Sequence, residues 1–293
     1  MLTAIVPVSE MAGRLHNLEN WLYAIHDHNI QVIIVHDYRD SETEKQLLSI
    51  LGVINSSKTV FLSGVFGSPG AARNAGLVRV DSKFVCFWDS DDLPHPQSIL
   101  SDLEIYSGDC DILVGQYVRS SGDSKDIRPI KSNDSSARDV AMNPGLWRMV
   151  FRRDFISSVK FQKMRMGEDQ LFLAEIMALK PRVSFTYTVF YNYFVGHPGQ
   201  LTQSPAAIIE LFDAFREILA LRKKTAGREF EFTSIVISRM NFTLARFAVR
   251  NKSIFLIFRS LASPRNLITR HPLVQIKCAL IVILRLSRSV EHA

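Results

Sequence analysis

Three carboxylates fall within four residues at Asp89-Ser90-Asp91-Asp92, directly after the apolar run Phe84 to Trp88. Carboxylates this close repel one another, so a compensating cation is expected. A divalent metal held by one or two of them, its shell completed by diphosphate oxygens, is the usual arrangement for Mg2+ or Mn2+. Such a metal would stabilise a departing nucleotide diphosphate as a Lewis acid. A second acidic pair, Glu168-Asp169, follows Gly167 at the start of a helical pattern. There a carboxylate can act as a general base or cap the helix dipole. Taken singly, Asp37 can be a turn residue, Arg73 an exposed helix charge and His197 a loop residue beside Pro198.

These side chains need elements to bring them together. Short apolar runs alternate with helix-like segments over the first hundred residues. Strands are predicted at Ala4–Val8, Val32–Val35, Thr59–Leu62 and Phe84–Trp88, and helices at Leu15–Ile25, Glu42–Leu51 and Pro69–Val78. Such alternation argues for βαβ units and a mostly parallel sheet, with ligands bound beyond the carboxyl ends of the strands. Ser9-Glu10, His36-Asp37 and the acidic triplet each follow a strand, so one sheet edge should collect them.

Ser120 to Asp139 is polar and reads as a solvated loop or a mobile lid over whatever binds at the sheet edge. A strand is predicted at Leu146–Phe151, a helix from Gly167 through Leu179 and a strand at Arg182–Tyr193. Beyond Pro205 the pattern is helical, at Ile208–Leu221, Phe232–Val249, Ile254–Leu261 and Leu273–Leu286.

A composition of 47% hydrophobic and 22% charged residues argues against disorder and repeat arrays. Cys86, Cys110 and Cys278 are odd in number and far apart, so neither a disulfide framework nor a zinc site is expected. The start MLTAIVPV reads as a buried strand, and no apolar run reaches the length of a membrane span. The expected location is therefore cytoplasmic, with peripheral attachment to the inner face of the membrane open.

The order PVSE, HD, GSPGAARNAGL, FWDSDDLP, GED and YNYFVGHPGQLT resembles the family 2 glycosyltransferases over about residues 3 to 204. The resemblance implies a GT-A fold, that is, a Rossmann-like, mostly parallel central sheet flanked by helices. It also implies an inverting glycosyltransferase that uses a nucleotide-sugar donor, a UDP-sugar on the strength of Asp37, with Mn2+ or Mg2+. It places Pro7 and Glu10 at the nucleoside, Asp37 at the uracil edge, Arg73 and Asp89 at the donor, Asp91 at the metal and Asp169 as catalytic base. His197 falls in the late loop that approaches the diphosphate or metal. Gly70 and Gly76 would permit close packing. The chain departs from the family's pattern at His36-Asp37-Tyr38-Arg39, where two aspartates are usual, at Gln200, and at Val8-Ser9.

The division expected is a catalytic domain over 1–204 and a basic helical extension over 205–293. Fifteen of the 35 Lys and Arg, but six of the 29 Asp and Glu, lie from Pro205 onward. Apolar segments there are edged by Lys252, Arg259, Lys277, Arg285 and Arg288. That composition fits an anionic membrane surface, or packing on the catalytic core or on a second copy in a homo-oligomer. A membrane role would suit a lipid-linked glycan acceptor in cell-surface polysaccharide synthesis, and nucleic acid is not an expected partner. The competing readings are a nucleotidyltransferase and a catalytically silent scaffold of the same fold.

Overall fold

The computed structural model describes residues 2–25, 28–106, 108, 110–121, 124–128, 137–195 and 205–250. The strands are β1 (Leu2–Val8), β2 (Ile30–Asp37), β3 (Thr59–Gly64), β4 (Phe84–Phe87), β5 (Leu93–Pro94), β6 (Ile112–Ser121), β7 (Ser124–Arg128), β8 (Met149–Arg152) and β9 (Val183–Phe194). The helices are α1 (His16–Ala24), α2 (Ser41–Ile54), α3 (Pro69–Leu77), α4 (Pro96–Tyr106), α5 (Ala137–Met142), α6 (Arg153–Ile156), α7 (Glu168–Ala178), α8 (Pro205–Arg222) and α9 (Gly227–Arg250).

One sheet runs in the order β3-β2-β1-β4-β8-β6-β9-β5, with β7 paired to the far end of β6. The pairings among β3, β2, β1 and β4 are parallel, as is β6 with β9, while β8 lies antiparallel to both β4 and β6. The inner strands are apolar on both faces, as a sheet covered by helices on both sides requires. Alternate residues feed two cores. Ile5, Ile33, Val35, Val85 and Phe87 enter one, and Ala4, Val6, Val32, Ile34 and Cys86 enter the other. That is the two-residue side-chain period of a strand at work.

Local signals explain the helix starts. Asp40 caps α2 by accepting from the Thr43 N–H at 2.6 Å, and Ser68 caps α3 by accepting from Ala71 N–H at 3.2 Å, with Pro69 in the first turn. Close approach explains two glycines. A Cβ on Gly76 would lie 2.6 Å from Ile5 Cγ2, and one on Gly70 would lie 2.5 Å from the Gln162 carbonyl oxygen.

The polar stretch Ser120 to Asp139 is not simply a loop. Its described parts complete β6, form β7 in register with it (Tyr117 with Arg128, Ser121 with Ser124) and open α5. Backbone pairing, which side-chain polarity does not reveal, makes this hairpin. Residues 122–123 and 129–136, where the lid expectation also falls, lie outside the described residues. The strand expected at Leu146 starts three residues later, after a 3-10 turn over Leu146–Arg148. Helix α4 and strand β6 occupy a stretch for which the sequence pattern assigns no element. Only Ile99, Asp102 and Leu103 of α4 are buried, too few to mark an apolar stripe.

Helices α8 and α9 do not form a layer of their own. Leu211, Ala214, Phe215 and Ile218 of α8 and Phe232, Val236 and Met240 of α9 belong to the same core as Ile5 and Phe87 of the sheet. Among the described residues no helix is long and apolar enough to cross a membrane. The segments Ile254–Leu261 and Leu273–Leu286, and Cys278, lie outside the described residues. Because the core is continuous, Phe232→Ala should destabilise the whole chain by about 3–5 kcal/mol. Chemical denaturation should then show a single transition at a lower midpoint, whereas loss confined to a separate early transition would mean that α8 and α9 fold apart from the sheet.

Candidate active site

Parallel strands point their carboxyl ends to one side of the sheet, and those ends set the site. Val8 of β1 is in register with His36 of β2, and Asp37 with Gly64 of β3. The Trp88 N–H donates to the Ile5 carbonyl at 3.1 Å, which holds the segment after β4 against β1. Glu10, Asp37 and the acidic turn Asp89–Asp92 thus share one edge, as the topology of open sheets dictates.

The acidic turn is clamped from beneath by β9. The Asp92 Oδ1 accepts from Phe194 N–H at 2.8 Å, and the Tyr191 hydroxyl accepts from Asp89 N–H at 2.9 Å. Asn17 of α1 donates to the Asp91 carbonyl at 2.7 Å. Asp92 is buried, and its Oδ2 has no partner. Burial first, then repulsion from Asp89 and Asp91, pushes its carboxyl well above the usual range, against hydrogen bonds from Phe194 and Tyr191. Asp91 is partly exposed at the tip. The three carboxylates therefore have different stations, one turned inward to brace the turn and two facing the edge.

Arg73 of α3 joins this turn to the second acidic pair. One terminal nitrogen lies 3.0 Å from Asp89 Oδ1 and the other 2.7 Å from Glu168 Oε1, and its guanidinium lies over the Phe161 ring. Its Nε is buried without a partner. Burial works against the charge of Arg73, but Glu168, Asp89 and Asp169 more than offset it and raise its pKa. Glu168 is pushed up to about 8 by burial and by Asp169, against the pull of Arg73. Burial also raises Asp169, with Asp89 adding to it and Arg73 and the Gln170 N–H opposing.

Gly167, at φ +89°, turns the chain so that Glu168 and Asp169 enter the first turn of α7. The segment before it is held from two sides. Asn74 of α3 makes reciprocal hydrogen bonds with the Phe161 backbone at 2.8 and 3.0 Å, and Glu210 of α8 accepts from both the backbone N–H and the side chain of Arg165.

Asp37 is buried and occupied. Its carboxylate accepts from the Phe66 and Gly67 N–H groups at 2.6 and 3.0 Å and from Arg39 Nε at 3.3 Å. His36, where the resemblance leads one to expect an aspartate, is buried. Its Nδ1 is 3.2 Å from Ser63 Oγ, and its Nε2 has no partner. Pro7 is half-buried in β1, and Glu10 is exposed with φ +50°. Glu10, Asp37, Arg73, Asp89, Asp91 and Asp169 thus lie on this edge or directly behind it. His197 lies outside the described residues. Among the described residues no three His, Cys, Asp or Glu side chains are grouped as a metal cage.

Sequence reasoning missed the reciprocal clamp of Asn74 and the aromatic side chains of Tyr117, Trp147, Tyr191 and Tyr193. The alternation of Tyr191 and Tyr193 in YNYF placed both on one strand face, but nothing local linked them to Trp147. Arg73→Met leaves Glu168 buried opposite an apolar group and should destabilise the chain by about 3–5 kcal/mol. Adding Glu168→Gln should recover part of that loss in denaturant midpoint; equal loss in the single and double variants would show that the ion pair is not its source.

In sequence and fold the chain is similar to known proteins. The profile of glycosyl transferase family 2 matches residues 5–172. The poly(ribitol-phosphate) beta-N-acetylglucosaminyltransferase TarP of Staphylococcus aureus (strain N315) is 24% identical over 208 residues, covering 66% of this chain and 62% of TarP, so the chain spans less than two thirds of that relative's length. Among solved structures, S. aureus TarS 1-349 in complex with UDP-GlcNAc superposes with a TM-score of 0.66 at 14% identity, over 89% of this chain and 79% of that one. The mannosyltransferase PcManGT from Pyrobaculum calidifontis, in complex with GDP-Man and Mn2+, superposes with a TM-score of 0.58 at 14% identity, over 99% of this chain and 86% of that one. With its mixed sheet, helices on both faces and an acidic turn after β4, the chain has the GT-A fold and belongs to glycosyl transferase family 2.

Proposed function

We propose that the chain transfers a glycosyl group from a UDP-sugar to an acceptor hydroxyl with inversion at the anomeric carbon. The observation that carries this reading is the Arg73 bridge, which ties Asp89 of the acidic turn to Glu168 at the start of α7, where Asp169 is the next residue. In the proposed step the acceptor oxygen attacks the anomeric carbon opposite the leaving group. The bond from that carbon to the diphosphate oxygen breaks, and the nucleoside diphosphate departs with the electron pair. The acceptor proton passes to the Asp169 carboxylate as general base.

The nucleoside lies along the ends of β1 and β2, near Pro7, Glu10 and Asp37. Of the contacts to Asp37, the 3.3 Å one from Arg39 is the one a uracil ring N–H would replace. Asp89 faces the donor sugar or ribose and is held there by Arg73. The residues fit a divalent cation completed by the donor itself, because Asp89 and Asp91 are separated by one residue in the turn and Asp91 is partly exposed at its tip. When bound, Mg2+ or Mn2+ supplies Lewis-acid stabilisation of the departing diphosphate, with Asp91 as its protein ligand and His197 a weaker candidate. A glycan or lipid-linked glycan of the cell surface is the acceptor class this reading favours; the polymer named for the S. aureus relative, poly(ribitol-phosphate), is an alditol phosphate of a different class.

Calorimetric titration with UDP should show binding that needs Mn2+ and is lost in Asp91→Ala. Binding of another nucleotide only, or of none, would favour a nucleotidyltransferase or a silent scaffold. Asp169→Asn should keep UDP affinity and lower turnover by about 100-fold or more. The base must be unprotonated to act. Its raised pKa therefore places the acid limb of the wild-type pH profile above the ordinary aspartate range, with activity falling as pH falls through it. Normal turnover in Asp169→Asn would exclude it as the base.

A further inference from the structure

The sheet order divides the site edge into two halves about the acidic turn of β4. On one side are the ends of β1, β2 and β3, which the proposed donor occupies. On the other are β8, β6 and β9. Because β8 runs antiparallel to β4, with Cys86 opposite Val150, the residues just before β8 lie at the same edge as the acidic turn. Trp147 is one of them. Strands β6 and β9 bring Tyr117 and Tyr191, in register with each other, to the same end.

The rings that meet there are ordered. Trp147 stacks with Tyr193 at 5.0 Å between centroids and 14° between planes, and with Tyr191 at 4.8 Å and 19°, while Tyr117 meets it edge-on. Gly145 seats the indole, since a Cβ there would lie 2.5 Å from Trp147 Cε2 and Cζ2. Tyr191 is fully buried, whereas Trp147 and Tyr193 are half-buried. Tyr193 is also fixed relative to the acidic turn. Its neighbour Asn192 is in register with Leu93, and its neighbour Phe194 donates to Asp92. Burial first, then the charges of Asp92, Asp89, Asp91 and Asp169, raise the pKa of the Tyr193 hydroxyl further, so it stays a donor.

We propose that Trp147 and Tyr193 form the acceptor subsite and that it takes a sugar in its ring form, an inference that rests on the proposed glycosyl transfer. A pyranose has an apolar face of C–H groups that covers flat aromatic surface and a rim of hydroxyls that needs polar partners. A rigid ring stack beside a phenol and carboxylates offers both. An acyclic alditol phosphate, such as the ribitol phosphate named for the S. aureus relative, has no such face.

The test reads acceptor binding apart from donor chemistry. Of the chain's three tryptophans, Trp21 and Trp88 are 1% and 0% exposed, so a sugar that changes tryptophan emission reports Trp147. Methyl pyranosides and gluco- and galacto-configured disaccharides should shift wild-type emission, and ribitol 5-phosphate should not. Tyr193→Phe, which keeps the ring stack, should weaken pyranoside binding about tenfold while leaving UDP affinity unchanged. Trp147→Phe should abolish the emission change, with saturation-transfer NMR used to confirm that pyranoside binding is weakened. The proposal is overturned if wild type binds UDP yet no pyranoside perturbs Trp147, if ribitol 5-phosphate alone does so, or if both variants bind pyranosides as wild type does. Pyranoside binding without any nucleotide binding would uphold the subsite and sink the donor reading instead.

Discussion

A buried arginine held between two carboxylates is the interaction on which the rest of the site depends. Arg73 reaches Asp89 on the strand side and Glu168 on the helix side, and both of its terminal nitrogens are engaged. Taking Arg73 and Glu168 out of water is unfavourable unless their geometry is tight, and with Asp89 at the partly exposed end this makes the relative placement of α3, the acidic turn and α7 a single problem. The phenylalanine under the guanidinium and the glycine at Gly70 belong to that solution. A side chain at Gly70 would meet the Gln162 carbonyl and push α3 away from the segment that leads to Glu168.

The same constraint explains why helix α8 matters to the candidate site. Gly167 can place Glu168 and Asp169 only if the chain before it is held. Part of that hold comes from Glu210 of α8 on Arg165. A Cβ on Gly167 would lie 2.7 Å from Ala214 Cβ, so α8 lies almost against the backbone of the turn. Asn74 holds Phe161 from the other side. The positions of the paired acids are therefore decided by elements far from them in sequence, and α8 is as much a part of the site's support as the sheet is.

The acidic turn illustrates a division of labour among chemically identical groups. Asp92 is turned inward onto the Phe194 N–H, leaving one oxygen unpaired and its carboxyl pushed toward the neutral form. Asp89 is drawn to Arg73, and Asp91 stays at the tip. A similar economy operates at Asp37, whose carboxylate already organises the backbone of Phe66 and Gly67. One side chain can shape a loop and still present an acceptor, because a carboxylate has about four lone-pair sites.

The acidic triplet, the Gly167-Glu168-Asp169 start and the alternation of strand and helix through Trp88 could all be read along the chain, because each is a local pattern whose period or spacing carries the physics. The boundaries of β1 to β4 and of α1 to α3 follow from that pattern to within a few residues. The chain's order also favoured the common edge of Glu10, Asp37 and Asp89, since parallel strands must end on one side. The tertiary structure decided what depends on pairing between distant segments. The β6–β7 hairpin hid behind polar side chains because its stabilisation is in the backbone, and α4 carried too short an apolar stripe to declare itself. Which of Asp89, Asp91 and Asp92 turns inward, that Arg73 bridges two acids, and that Trp147 meets Tyr191 and Tyr193 were likewise decided in space. Burial and contact between residues dozens of positions apart set those outcomes, and no local spacing encodes them.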